Sequence, residues 1–375
     1  MVIAGAGPAG AFAATILARA GARVRLFDRA RFPRHKLCGD TLNPGALGVL
    51  QRHLDIGPLL ERSDAIDGML LTGPRGVAVR AIYGRGLQGR AITRDVLDDW
   101  LVRRALDAGA LLEENVTVKG AALADHRVAG LLITNGTTLT HRARLVIAAD
   151  GRRSVVAIAR GLAHQPQRPR RWAIGGYFTG VTGLSAVGEM HVRHGHYIGV
   201  APLPGGLANA CVVVPHAEGD APFGSPADLL QRHLDRDAAL RVRFADARPA
   251  SRPTVLGPMA VEARAAGEPG LLLAGDAAGF IDPMTGDGLH FALKGAELAA
   301  GVALDVLGGK TSIDTAHEEL ARQRSIAFAS KWRFNRALRS LVSSPSGVSG
   351  AAIAAAVAPG LFERIIRFAG DCRHA

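Results

Sequence analysis

The sequence predicts an α/β fold: a parallel-sheet unit flanked by helices, an inserted, mostly antiparallel sheet, and a helical C-terminal segment. Three observations predict it. Residues 2–27 run apolar strand, glycine-rich turn, helix and apolar strand, a complete βαβ unit. Two further apolar runs, 145–149 and 271–274, each pass through an Asp and a Gly toward a helix start. Between them lie alternating stretches, 67–83 and 172–215, punctuated by glycine turns.

The first strand is Val2, Ile3 and Ala4, followed by Gly5-Ala6-Gly7-Pro8-Ala9-Gly10. Residues 11–20 continue as a helix that Gly21 ends, and a second strand from Val24 to Phe27 closes on Asp28. Gly5 permits the tight turn, Gly7 lets backbone approach a pyrophosphate, and Gly10 permits close helix–strand packing. The helix start then points unpaired N–H groups at phosphates. Asp28 follows Gly10 by 18 residues, where a carboxylate binds both hydroxyls of an adenosine ribose and repels a ribose phosphate. This Rossmann-type unit therefore suits FAD or NAD rather than NADP.

The later motifs refine that expectation. Asp276 follows the run 271–274, at the carboxyl edge where open α/β sheets bind ligands. The turn Thr285-Gly286-Asp287-Gly288 opens a helix to about Leu307, with Leu289, Leu293, Ala296, Ala300 and Leu304 on one stripe. Such a helix start stabilises negative charge on a reduced flavin. Residues 225–245 read as a helix, and 311–375 as helices broken at Pro345 and Pro359.

Composition narrows the function classes. The chain has 375 residues, 48% hydrophobic and 21% charged, which suits a globular chain with a large core. Its net charge of +12 points to nucleic acid, an anionic membrane surface or a phosphorylated ligand. Nucleic acid is not expected: 40 of the 45 basic residues are Arg without a long basic block, and aromatics are 5%. Cys38, Cys211 and Cys372 are too scattered for a disulfide framework and fit a reducing, cytoplasmic setting. The opening MVIAGAGPAG lacks the basic start of a signal peptide. The uncharged run 340–362 reads as a loop and a short Ala-rich helix rather than a span, because its first half is Ser, Pro and Gly. Residues 310–375 hold ten Lys and Arg against five Asp and Glu. The stretch 323–339 is basic and amphipathic: either a solvated face or a peripheral membrane contact, with membrane association of the protein. His191, His194 and His196 lack zinc-type partners, so no metal is expected.

The motifs GAGPAG, ADGRRS and AGDAAGFIDPMTGDG resemble, in order and spacing, those of FAD-dependent oxidoreductases of the p-hydroxybenzoate hydroxylase type. Within that group, PRHKLCGDTLNPGAL, residues 33–47, is similar to the PRxKxCG segment of the geranylgeranyl reductase branch. The resemblance covers roughly residues 1–310. It implies a discontinuous FAD-binding domain over 1–55, 88–168 and 258–310, a substrate domain over 56–87 and 169–257, and a helical segment over 311–375. It also implies that Gly5, Gly7, Ala9 and Gly10 meet the FAD pyrophosphate, and that Asp28 holds the ribose with Arg29 beside it. Arg94 would reach the phosphate or ribitol region, and Gly275 and Asp276 the ribitol. Pro283, Gly286 and Gly288 would lie against the flavin ring and Val116 near the adenine. Apart from the resemblance, His35-Lys36 reads either as a solvated basic pair or as facing the flavin entry, and the latter is expected of Lys36. Asp150 and Gly151 are structural first in this reading.

Cys38 is the candidate catalytic residue, as a proton donor; its alternative is a buried small hydrophobe. Asp40 stands where much of the branch has a second Gly. The branch's YxWxFP segment corresponds to Tyr197-Ile198-Gly199-Val200-Ala201-Pro202-Leu203-Pro204, without the Trp and Phe. The expected function is an FAD-dependent oxidoreductase, reductase- or monooxygenase-like, acting on a lipophilic or aromatic small molecule of secondary, isoprenoid or quinone metabolism. The alternatives are a class A monooxygenase hydroxylating an aromatic or polyketide substrate, and a flavin-holding protein with a non-redox pocket activity. Only one GxGxxG, residues 5–10, sits in a βαβ unit, and no second nicotinamide-binding βαβ follows, so NAD(P)H is expected as a transient reductant.

Overall fold

The computed structural model describes all residues except 85, 167–169, 216–223, 282, 343, 371 and 373–375. Its centre is a six-stranded sheet in the order Gly267–Glu268, Leu271–Leu273, Val146–Ala148, Val2–Ala4, Arg25–Phe27, Leu111–Glu113. All neighbours are parallel except the first pair. Ile3 lies opposite both Ile147 and Leu26, and Ile147 opposite Leu272. These strands read as unbroken apolar runs because both faces are covered. Helices Pro8–Arg19, Arg94–Asp107 and Gly288–Leu307 cover one face, with Phe12, Leu97 and Leu293 fully buried. The antiparallel strands Thr117–Ala124, Arg127–Thr134 and Thr138–Arg142 cover the other through Val128 and Leu131.

The second layer is an eight-stranded sheet. Arg171–Thr179, Leu207–Pro215, His196–Leu203 and Val187–Arg193 are successive antiparallel neighbours, and Gly68–Thr72 then adds parallel. Helix Pro226–Arg236 packs Leu230 and Leu234 under this sheet. The helix expected over 225–245 thus stops earlier, and 238–246 is turn.

The C-terminal segment forms helices Ala316–Val342, Pro345–Val357 and Pro359–Ala369. The Ser-, Pro- and Gly-rich start of the uncharged run is helical rather than loop. Pro345 occupies the first helical position, where no N–H is needed, and the Ser344 hydroxyl accepts the Gly347 N–H at 3.0 Å. Among the described residues no single helix is long and apolar enough to cross a membrane.

The tightest packing lies at the first turn. Gly5 has φ +90°, and a Cβ on Gly10 would sit 1.9 Å from the Gly5 carbonyl oxygen. Gly10→Ala is therefore expected to destabilise the fold by on the order of 3 kcal/mol. A shifted denaturant midpoint is the measurement; an unchanged midpoint would mean that the turn has room.

Candidate functional site

The turn after strand Val2–Ala4 lies at the sheet's carboxyl edge, with Gly7 as the N-cap of helix Pro8–Arg19. A Cβ on Gly5 would come within 2.6 Å of the Ala149 carbonyl oxygen. A Cβ on Gly275 would come within 2.9 Å of the Ala9 Cβ. The three motifs thus meet at one edge. Asp28 is fixed there: its Oδ2 accepts the Ala6 N–H at 2.8 Å and its Oδ1 the Ala30 N–H at 2.8 Å. Val116 is buried beside it, donating its N–H to the Asp28 carbonyl at 2.9 Å, while Arg29 is exposed. Asp150 accepts the Val155 N–H at 3.0 Å and so secures a helix start.

Three cations converge on this cradle. An Arg34 Nη2 lies 3.4 Å from where a Gly7 Cβ would be, and the Lys36 Nζ lies 3.9 Å from that of Gly151. Burial, then the neighbouring Arg94, pushes the Lys36 ammonium down from the usual lysine range, against the pull of Asp276. Arg94 is buried and grips Asp98 with two bonds, Nε to Oδ1 at 2.8 Å and Nη2 to Oδ2 at 2.9 Å. Arg34 reaches the same Oδ2 at 3.1 Å. Burial opposes the Arg94 charge, but Asp98 and then the Cys38 thiol outweigh it, and its pKa is raised. Cations crowded against a bare glycine turn fit the diphosphate of a dinucleotide, which would separate and pair them. Arg34 was not among the expected residues; its signal was the PRHK run, read only at Lys36.

The other end of the cradle is the loop 275–288. Asp276 is partly exposed, and Gly288 opens helix Gly288–Leu307 near the Phe280 ring. Pro283 lies in the turn Pro283–Thr285, next to Gly286; its side chain is outside the described residues. The long helix Ala316–Val342 clamps this loop. Arg324 donates to the Ala278 carbonyl at 2.8 Å, and burial brings its pKa down to about 10. The Lys331 Nζ lies 3.2 Å from the Asp287 Oδ1, which also accepts the Asn43 amide at 3.1 Å. The basic stretch 323–339 therefore turns Arg324 and Lys331 inward, onto the loop expected to hold the flavin.

Ala173, Tyr197 and Val213 of the inserted sheet pack with Leu37, Met259 and Met284 into one buried apolar wall between the sheet and the 275–288 loop. Beside the wall sits a polar group. The Asn209 amide donates to the Cys38 carbonyl at 2.8 Å and to the Asp40 Oδ2 at 2.5 Å. Tyr177 is the cross-strand partner of Asn209 and shares its face. Asp40 is fully buried, and burial pushes its carboxyl up to about 7, against hydrogen bonding by Asn209 and Tyr177. Cys211, behind Cys38 and Asp40, is pushed up by burial to about 12. Arg152 and Arg153 tie the Gly257 carbonyl to the second motif. His191 is buried and bonded at both ring nitrogens: its Nε2 meets Glu189 at 3.0 Å and its Nδ1 meets Thr72 at 2.8 Å, beside a two-pronged Arg243–Glu189 pair.

The family described as "FAD binding domain" matches residues 1–324. A digeranylgeranylglycerophospholipid reductase of Methanopyrus kandleri is 31% identical over 320 residues, 82% of this chain and 77% of that protein. A menaquinone reductase of Mycolicibacterium smegmatis is 30% identical over 348 residues, 87% of this chain and 82% of that protein. Among solved structures, a myxobacterial chondrochloren halogenase superposes with TM-score 0.82 at 24% identity, covering 89% of this chain and 80% of that one. The flavin-dependent brominase Bmp2 superposes with TM-score 0.84 at 19% identity, covering 99% and 93%. These two likenesses concern the fold.

Replacing the Lys36 charge, as in Lys36→Met, is expected to leave the fold intact and weaken dinucleotide binding about tenfold, or ~1.4 kcal/mol. Titration of the apoprotein followed by flavin fluorescence measures this; unchanged affinity would put the phosphates away from Lys36.

Proposed function

The chain belongs to this FAD-binding family, of the p-hydroxybenzoate hydroxylase type, and from that premise we propose that it reduces a carbon–carbon double bond in a lipophilic, isoprenoid-bearing substrate. The protein is an FAD-dependent oxidoreductase. FAD, when bound, supplies the hydride. Gly5, Gly7, Gly10 and the Arg34–Lys36 pair would hold its diphosphate, Asp28 its ribose, and the 275–288 loop its ring system. Such a reduction also needs an apolar seat for the alkene and a protein group that yields a proton.

The observation that carries the reading is the apolar wall between Leu37 and Met284, continued along the same sheet face by Cys211 and by the Tyr177–Asn209 pair that holds the Asp40 carboxyl. Relatives named as reductases, of a digeranylgeranyl lipid and of menaquinone, support a substrate of this kind. NAD(P)H is the proposed electron donor, bound transiently, because the one βαβ unit with a GxGxxG would already serve FAD. Anaerobic protein with reduced FAD is expected to regain its oxidised absorbance when a polyprenyl quinone or a geranylgeranyl lipid is added. If reoxidation requires oxygen together with an aromatic substrate, the reading is wrong.

A lipophilic substrate reaches the protein from a membrane, and the proposed contact is the tip where helices Pro345–Val357 and Pro359–Ala369 meet at 112°. Ile353, Val357 and Leu361 are 57%, 79% and 55% exposed there, and Arg364 and Arg367 are exposed on the second helix. Apolar side chains with nearby cations suit an anionic bilayer surface. The protein is expected to sediment with anionic vesicles, and Val357→Asp with Leu361→Asp to release it. Equal sedimentation of variant and wild type would rule out the tip.

A further inference from the structure

Asp40 is a fully buried carboxyl that the cofactor cradle does not use, held by Asn209 of the inserted sheet. Its backbone has φ +52°, a left-handed conformation in which Gly, Asn and Asp are the tolerated residues. That conformation turns the side chain toward the inserted sheet. There Oδ2 accepts the Asn209 amide at 2.5 Å, and the Tyr177 phenol lies against the same carboxyl. The other oxygen, Oδ1, is buried without a hydrogen-bond partner of ordinary geometry. A buried carboxylate oxygen left bare is costly, whereas a neutral acid leaves one oxygen to accept and one to carry the proton.

Among the described residues, charged and titratable groups act on Asp40 from three elements. From its own segment there is Cys38, and from the helix Arg94–Asp107 there are Arg94 and Asp95. From the sheet there are Tyr177 and Cys211. Arg94 is already committed to Asp98, so it stabilises the Asp40 charge only from a distance. Burial holds the Tyr177 phenol well above the usual tyrosine range, and Asp40 adds to that. Tyr177 therefore keeps its own proton unless it receives another as it gives one up.

We propose that Asp40, seated between Asn209 and Tyr177, is the proton store of the site and delivers through the Tyr177 hydroxyl. This rests on the reading of the protein as a double-bond reductase. Reduced FAD would supply the hydride for one C–H bond. The Tyr177 O–H breaks as the second C–H bond forms, and the Asp40 proton moves to the Tyr177 oxygen. Asp40 is left as a carboxylate held by the Asn209 amide, and it takes a proton back from water once product leaves. The two electrons come from NAD(P)H, the donor proposed above, which would restore the reduced flavin after each turnover.

The test uses Asp40→Asn and Tyr177→Phe in the FAD-loaded protein. Both keep the shape of the side chain, and FAD content and thermal melting check folding. Two readouts are taken. Infrared difference spectra across pH are expected to show a neutral carboxylic acid band that fades with a midpoint near 7 in wild type, persists in Tyr177→Phe and is absent from Asp40→Asn. Anaerobic single-turnover reoxidation by the alkene is expected to fall as pH rises through that midpoint. Asp40→Asn should slow it at least tenfold at low pH and remove the pH dependence; Tyr177→Phe should slow it comparably. A wild type without the band overturns the proposal. So does an Asp40→Asn protein with wild-type rate and pH profile, or a pH limb abolished by Cys38→Ser and not by Asp40→Asn. If no alkene reoxidises the wild-type flavin, the functional reading fails, and with it the delivery step. The infrared band then still upholds or overturns Asp40 as the holder of a proton.

Discussion

One side-chain amide joins the two halves of the site. The Asn209 amide donates at once to the Cys38 carbonyl and to the Asp40 carboxyl. It stands on strand Leu207–Pro215 of the inserted sheet, while both acceptors belong to the segment that leaves the dinucleotide-binding unit. The Asp40 carbonyl then accepts the Ile92 N–H at 2.9 Å, two residues before Arg94. Hydrogen bonds and the short backbone link 92–94 thus connect the inserted sheet to the buried Arg94–Asp98 pair. Opposite Cys211, Gly175 leaves the space this needs: a Cβ there would come within 2.9 Å of the Leu37 side chain. Removing the amide would leave a buried carboxyl with no strong donor, a cost of about 1–3 kcal/mol.

The second constraint is electrostatic. Arg34, Lys36 and Arg94 are gathered where the Gly-rich turn exposes backbone N–H groups, and Asp98 and Asp276 only partly balance them. Such a cluster makes the cofactor part of the architecture, because a diphosphate supplies the missing negative charge. The C-terminal helix fixes the other end. Arg324 and Lys331 are two of the ten cations of the tail, and both are buried against the 275–288 loop. The net charge of +12 is therefore partly an internal matter of cofactor and loop.

The parts of the fold legible in the sequence are the local ones. The βαβ unit, Asp28 and the stripe of helix Gly288–Leu307 each depend on residues a few positions apart, and the structure forms them where spacing placed them. The helices at Pro345 and Pro359 show how a local rule is double-edged: proline breaks a helix and also begins one. Asp40, Tyr177 and Asn209 were not legible together, since they are 137 and 169 residues apart along the chain and only sheet register makes them neighbours. Alternation shows which face a strand residue takes, but not what lies across from it. Arg324 and Lys331 escaped for a related reason: an amphipathic pattern counts cations as surface, and these two find buried acceptors.

The reaction proposed here adds two hydrogens and no oxygen. The direct test is the mass of the product formed by the FAD-loaded protein from a polyprenyl substrate and NAD(P)H, with and without oxygen. The account requires a product heavier by two hydrogens, formed equally well without oxygen. A product that carries an oxygen atom from O2, and forms only when O2 is present, would contradict it.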